Sequence, residues 1–181
     1  LLITLTLTAQ STTATWYLND TSGDGVQSYT NTASGDFSTA MGNGTTANGD
    51  YSTAMGIGTQ ASGYSSTTMG NETTASGYVS TAMGYYTTAS GSRSTAMGEG
   101  TTASGNYSTA MGLYTIASDR SSLVIGEYNL LGSTVTNSAT QFSTDNTAFV
   151  IGNGADSDNR SDALTVLFNG DATLAGSMTA T

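Results

Sequence analysis

The apolar positions of this chain come in short alternating bursts punctuated by glycine, and from residue 33 onward the bursts keep a fixed interval. Met-Gly pairs stand at Met41-Gly42, Met55-Gly56, Met69-Gly70, Met83-Gly84, Met97-Gly98 and Met111-Gly112, each 14 residues after the last, and Ile125-Gly126 continues the series. A serine column runs through Ser38, Ser52, Ser66, Ser80, Ser94, Ser108 and Ser122, and an alanine column through Ala33, Ala47, Ala61, Ala75, Ala89, Ala103 and Ala117. Glycine follows each alanine by two residues until Asp119 breaks the column. The unit reads Ser-Thr-Ala-Met-Gly-x-x-Thr-Thr-Ala-Ser-Gly-x-x. Two strand-like pieces separated by glycine turns predict an all-β solenoid whose coils pair at about 4.8 Å. Glycine permits positive φ at the corners.

Alternation assigns the faces. Ser38, Ala40 and Gly42 fall on one side of their strand, Thr39 and Met41 on the other. The small side closes a thin coil against Ala33 and Ala47. Methionine does not fit so narrow an interior, so Met41, Met55, Met69, Met83, Met97, Met111 and Ile125 are expected as an external apolar stripe. A long exposed stripe is unfavourable on a monomer. Several chains meeting along an axis would cover it, which makes this column the expected core of an oligomer. The alternative puts methionine inside the coil of a monomeric solenoid.

The flanks divide the chain into an N-terminal strand and cap (1–29), the repeat body (30–126) and an irregular coil insertion with C-terminal strands (127–181). Leu1, Ile3, Leu5 and Leu7 alternate with threonine and read as a strand rather than a signal-peptide core. Phe149-Val-Ile-Gly152 resumes the coil after an excursion. Residues 162–171 read as a strand and an Asn-Gly turn, and 172–178 as the next strand. Ile3, Leu5 and Leu7 at one end and Leu164, Val166 and Phe168 at the other are complementary strands for head-to-tail contact between molecules. Simple capping of its own roll is the other role for the N-terminal strand.

Composition removes most chemistry. The chain has 181 residues with no Cys, His or Pro, and three arginines face 13 acidic residues for a net charge of −10. No Ser-His-Asp triad or thiolate site can be built, and no paired carboxylates converge visibly, so no enzyme activity and no cofactor are expected. Net negative charge disfavours nucleic acid. No stretch is long and apolar enough to span a membrane as a helix.

Several features bear on recognition. Tyr64, Tyr78, Tyr85, Tyr86, Tyr107 and Tyr114 cluster at corner positions, where they would contact a glycan or protein or pack on a neighbouring chain. Asp20 and Asp24 lie in a loop spaced like a calcium site but without the later bidentate Glu, and Asp156 and Asp158 lie in a second acidic loop; both read first as turns. Asp36 and Asp50 stand in equivalent places of consecutive coils, as a solvated turn face. Threonine columns at 45, 59, 73, 87, 101 and 115, and at 46, 74, 88 and 102, are good ladder material and also suit an ice-binding face. Asn-x-Ser/Thr acceptors occur at Asn19, Asn43, Asn71, Asn106 and Asn159.

Ser52-Thr-Ala-Met-Gly56, Ser94-Thr-Ala-Met-Gly98 and Ser121-Ser-Leu-Val-Ile-Gly126 resemble the head repeat of trimeric autotransporter adhesins, the YadA-like motif with a Ser-Val-Ala-Ile-Gly core and a downstream Ala. The likeness covers residues 30–126, with Met for Ile and Thr for Val, and an echo at residues 148–154. It implies a left-handed parallel β-roll that assembles as a homotrimer on a bacterial cell surface, with the column from Met41 to Ile125 as the trimer core. The C-terminal tail resembles segments that precede intramolecular chaperones in phage tail fibres and bacterial surface fibres. The expected function is a non-enzymatic extracellular structural and adhesive fibre module whose partners are its own copies and a host surface protein or glycan. A ligand-binding solenoid, for ice or glycan, and a phage receptor-binding tail fibre are the alternatives.

Overall fold

A computed structural model describes residues 17–18, 26–27, 30–132 and 139–177. The expected assembly residues Ile3, Leu5 and Leu7, and the acidic pair Asp20 and Asp24, lie outside the described residues. Two β-sheets run along the solenoid, one of twelve strands and one of seven, with no helix among the described residues. The long sheet collects the five-residue strands Thr39–Asn43, Thr53–Ile57, Thr67–Asn71, Thr81–Tyr85, Thr95–Glu99, Thr109–Leu113 and Leu123–Glu127. The short sheet collects two-residue strands such as Thr74–Ala75 and Thr88–Ala89. Successive coils pair in parallel and in register: Met83 lies opposite Met69 and Met97, and Ala89 opposite Ala75 and Ala103. A constant 14-residue spacing keeps this register, and a slip of one residue within a strand would turn its inward face out.

The interior is one small side chain thick. Ala33, Ala47, Ala61, Ala75, Ala89, Ala103 and Ala117 from the short sheet and Ala40, Ala54, Ala82, Ala96 and Ala110 from the long sheet are all fully buried. Thr68 replaces alanine in one coil, and Val124 and Val150 enlarge the core at the C-terminal end. The Ser38 and Thr45 columns complete the interior. Most of those hydroxyls, including Thr59, Thr73, Thr87 and Thr101, are buried without a hydrogen-bond partner. Serines at the two ends differ: Ser38 and Ser122 donate to the carbonyls of Gly35 and Asp119 at 2.7 and 2.8 Å.

The glycine columns depart from the expected assignment in two ways. Gly42 is exposed rather than inward, with a φ of 130°, and Gly56, Gly70 and Gly84 repeat it at 122–123°. That conformation carries the chain round the corner and ends the strand alternation, so Thr45 takes the inward place. Any Cβ at Gly42 would also strike the carbonyl oxygen of Gly56. The Gly35 column, by contrast, does not adopt positive φ. It is glycine for want of space, since a Cβ on Gly77 would run into the carbonyl of Gly91 in the next coil. Positive φ at this corner falls two residues later, on Phe37, Tyr51, Ser65, Val79, Arg93, Tyr107 and Ser121.

Both ends of the roll are closed by amides in the Thr45 column. Asn31 accepts the Thr45 N–H at 3.0 Å and donates to the Gly42 carbonyl at 3.1 Å. Asn129 accepts the Ile116 N–H at 2.8 Å and donates to the Ile116 carbonyl at 3.1 Å, standing in for the next short strand. Thr147–Asn153 then resumes the long sheet, with Val150 opposite Val124 and Ile151 opposite Ile125. Asp162–Leu167 and Ala172–Leu174 follow as antiparallel strands, joined through the Asn169-Gly170 turn. At the other end, Val26–Gln27 pairs in parallel with Thr39–Ala40, and Tyr17–Leu18 pairs antiparallel with it.

Candidate interaction surfaces

The methionine column lies on the outer face of the long sheet. Met41, Met55, Met83, Met97, Met111 and Ile125 are half-buried in the single chain and Met69 is 38% exposed, so methionine does not fill the coil. The reason is the neighbouring alanine: Ala40 and its equivalents face inward, and the next residue must face out. Register carries the column further than spacing alone shows. Ile125 lies opposite Ile151, Ile151 opposite Leu164, and Leu164 opposite Leu174. Beside it the outward threonines give way to Leu123, Phe149 and Val166. Leu164 and Val166 therefore share the methionine face, and Phe168 packs edge-on against Phe142 at 5.0 Å.

One corner carries a ladder of planar side chains. Phe37 stacks on Tyr51 at 5.4 Å, Tyr51 meets Tyr64 edge-on at 5.3 Å, and Tyr64 stacks on Tyr78 at 5.3 Å. The Arg93 guanidinium then lies 5.1 Å from the Tyr78 ring and 5.4 Å from the Tyr107 ring, with Arg120 4.9 Å from Tyr107 on its far side. Each of the seven coils supplies one rung. Its position alternates between the two residues after the corner glycine: Phe37, Tyr51, Arg93 and Tyr107 use the second, Tyr64, Tyr78 and Arg120 the first. Tyr64, Tyr78 and Tyr107 were visible as corner tyrosines. Phe37, Tyr51, Arg93 and Arg120 were missed because a column read at a fixed 14-residue step breaks at each change of position. One planar side chain per coil, at either site, is the signal that finds them.

Tyr85, Tyr86, Tyr114 and Tyr128 sit at the opposite corner. Tyr85 and Tyr86 meet edge-on at 4.3 Å, and Tyr114 stacks on Tyr128 at 5.1 Å beneath Arg160. A hydrogen bond with Tyr86, then burial, raises the Tyr85 phenol above its ordinary value, and burial does the same for Tyr128. Arg160 also donates to the carbonyls of Tyr114 and Asn129, tying the C-terminal loop to the end coil.

The C-terminal acidic loop is an internally bonded turn. Asp156 accepts the backbone N–H groups of Asp158 and Asn159, both at 2.9 Å, and the Asn159 side-chain amide. Those bonds, the Asn159 amide first, hold its carboxyl below the usual carboxylate range. Among the described residues, no three of His, Cys, Asp and Glu gather as a metal site. Asp36 and Asp50 form a turn link, the Asp36 N–H donating to Asp50 at 3.0 Å. The two threonine columns point opposite ways: Thr45 and its equivalents are buried, whereas Thr46, Thr74, Thr88 and Thr102 face out, interrupted by Gln60 and Ile116.

A family model described as the YadA head domain repeat, two copies per match, fits residues 33–59, 61–87 and 89–115. No curated protein matches the chain. YadA-family heads are cell-surface adhesin modules, structural rather than enzymatic, and form trimers in general.

Proposed function

We propose that the chain is a trimeric, left-handed, non-enzymatic head module of an extracellular adhesive fibre, a reading supported by the match of residues 33–59, 61–87 and 89–115 to the YadA head domain repeat. The observation that carries this reading is the apolar column on the outer face of the long sheet, running from Met41 through Ile151 to Leu174. Half-exposed in one chain, it would be covered where three chains meet on an axis, and apolar burial along the whole roll would drive the association. Aspartate at position 83 tests it. Met83 faces outward, so Met83→Asp leaves the coil interior intact, while a threefold seam would hold three unpaired carboxylates. Sedimentation should show trimer for the parent chain and monomer for the variant, with circular dichroism unchanged. A variant that stays trimeric overturns the axial assignment.

Head-to-tail growth of the fibre is the finer part of the proposal. Ala172–Leu174 is the last strand of the long sheet and is exposed, so its outer edge is open for strand addition among the described residues. Deleting residues 1–9 should leave a folded trimer that no longer forms long filaments in negative stain. Filaments of parental length would make the N-terminal segment a cap.

A further inference from the structure

We infer that the C-terminal half of the aromatic ladder, Tyr78-Arg93-Tyr107-Arg120, is a binding site for an extended anionic glycan. The inference deepens the adhesin reading and rests on it for the outward placement of this corner.

Three observations point to a ligand. Arg93 and the two rings are exposed, Tyr78 and Tyr107 by 47% and 45% although each ring is large and apolar, and Arg120 is half-buried. Arg93 and Tyr107 hold φ values of 56° and 62°, the left-handed conformation that this corner imposes in every coil, which fixes the direction in which their side chains leave the backbone. Two of the three arginines, in a chain of net charge −10, lie in this one ladder.

The chemistry of the site is specific. Arg93 is sandwiched between two tyrosine rings and donates to the Tyr107 hydroxyl at 3.2 Å and to Ser92 Oγ at 3.4 Å. None of these partners is a carboxylate, so the guanidinium charge is not neutralised by its contacts. Stacking fixes the plane of the fork, and a preorganised fork suits a planar or tetrahedral oxyanion. Arg120 is held over Tyr107 and donates to the Thr140 carbonyl at 2.8 Å. The two guanidiniums stand two coils apart, about 9.6 Å at the pairing distance of strands. Positive charge that recurs at this interval, with an aromatic surface between, matches a polysaccharide bearing one carboxylate or sulfate per disaccharide. A nucleic acid carries charge too densely for two cations and would be repelled by the rest of the molecule.

Calorimetry on the intact chain decides it with three probes: a keratan sulfate hexasaccharide (sulfate alone), a hyaluronan hexasaccharide (carboxylate alone) and chitohexaose (neutral). At least one anionic probe should bind, more weakly as salt rises, and the neutral one should not; the first two arms separate sulfate from carboxylate recognition. The double variant Arg93→Gln, Arg120→Gln should weaken binding at least tenfold, while Arg160→Gln, with its charge at the other corner, should not. No binding of either anionic probe, equal binding of chitohexaose, or an unaffected double variant overturns the inference. Sedimentation of the same samples keeps the two readings apart. A monomer that binds removes the trimer and keeps the glycan site, and a trimer that fails to bind does the reverse.

Discussion

Gly105 and Asp119 occupy the same corner in successive coils, yet one position accepts no side chain and the other carries a carboxylate. A Cβ on Gly105 would strike the carbonyl of Asp119 in the coil above it, and the same holds for Gly77 beneath Gly91. Above Asp119 the regular stack has ended. Its side chain turns into the free space and accepts the Thr147 N–H at 2.8 Å, in a site where the residue is 1% exposed. The last regular coil and its cap show the same relaxation elsewhere: Val124 and Val150 stand in the alanine column, Ile125 and Ile151 in the methionine column, Asn129 in the threonine column. What restricts each residue of the roll is the equivalent residue of the next coil.

The sharpest break of that comparison is a methyl group in mid-stack. Gly77→Ala should cost at least about 4 kcal/mol, because backbone on both sides must move. That corresponds to a fall of roughly 8–16 °C in a thermal melt. Asp119→Ala at the cap should cost about 1–3 kcal/mol, for the buried hydrogen bond to Thr147 that it removes. Equal melts for the two variants would remove the distinction between stack and cap. Next in size is overpacking. Ala82→Leu inside the coil should cost about 1–3 kcal/mol or more, whereas Met83→Leu, one residue along and facing out, should stay below about 1.5 kcal/mol. Denaturant melts of the pair measure the difference between the two faces directly.

Asn129→Ala removes the side chain that completes the short sheet. Both polar groups of Ile116 lose a partner, and about 1–3 kcal/mol should follow. Amide exchange at Ile116 should accelerate more than at Thr88, which lies inside the sheet. Uniform protection would show that the amide is no cap. Thr87→Val tests the opposite sign: its hydroxyl is buried without a partner, so an isosteric apolar group should leave stability unchanged or raise it slightly. A clear loss would mean that the hydroxyl is bonded in solution.

The smallest effect belongs to the loop at Asp156. Its folded carboxyl is held below the ordinary value, so its contribution is fully present above the normal aspartate range and is lost as pH falls through the lowered folded value. An NMR titration should show the Asn159 side-chain amide losing its shift at acid pH, with the coils unaffected. Asp156→Asn should abolish that titration.

Much of the roll could be read from the chain because its interior and exterior columns recur many times, and one mistaken assignment would have to be repeated in every coil. The alternation Ser38-Thr39-Ala40-Met41 put alanine in and methionine out, and Phe149-Val-Ile-Gly152 was visible as a further coil strand. The alternation failed at Gly42, where a positive φ turns the chain and hands the inward place to Thr45. The ladder escaped for a different reason, since its rungs are continuous in space but not in column. The place of Leu164 and Val166 on the methionine face was also hidden in the sequence, because only antiparallel pairing with Ile151 and Phe149 puts them there.

Sequence alone determined the 14-residue period, the small interior and the absence of histidine and cysteine chemistry, because composition and spacing carry these without reference to neighbours. Tertiary structure decided which glycines serve conformation and which serve space, which threonine column faces in, and which side chains meet along the corner. Those outcomes depend on where the next coil's backbone lies, and coils 14 residues apart in sequence come into contact only when the roll forms.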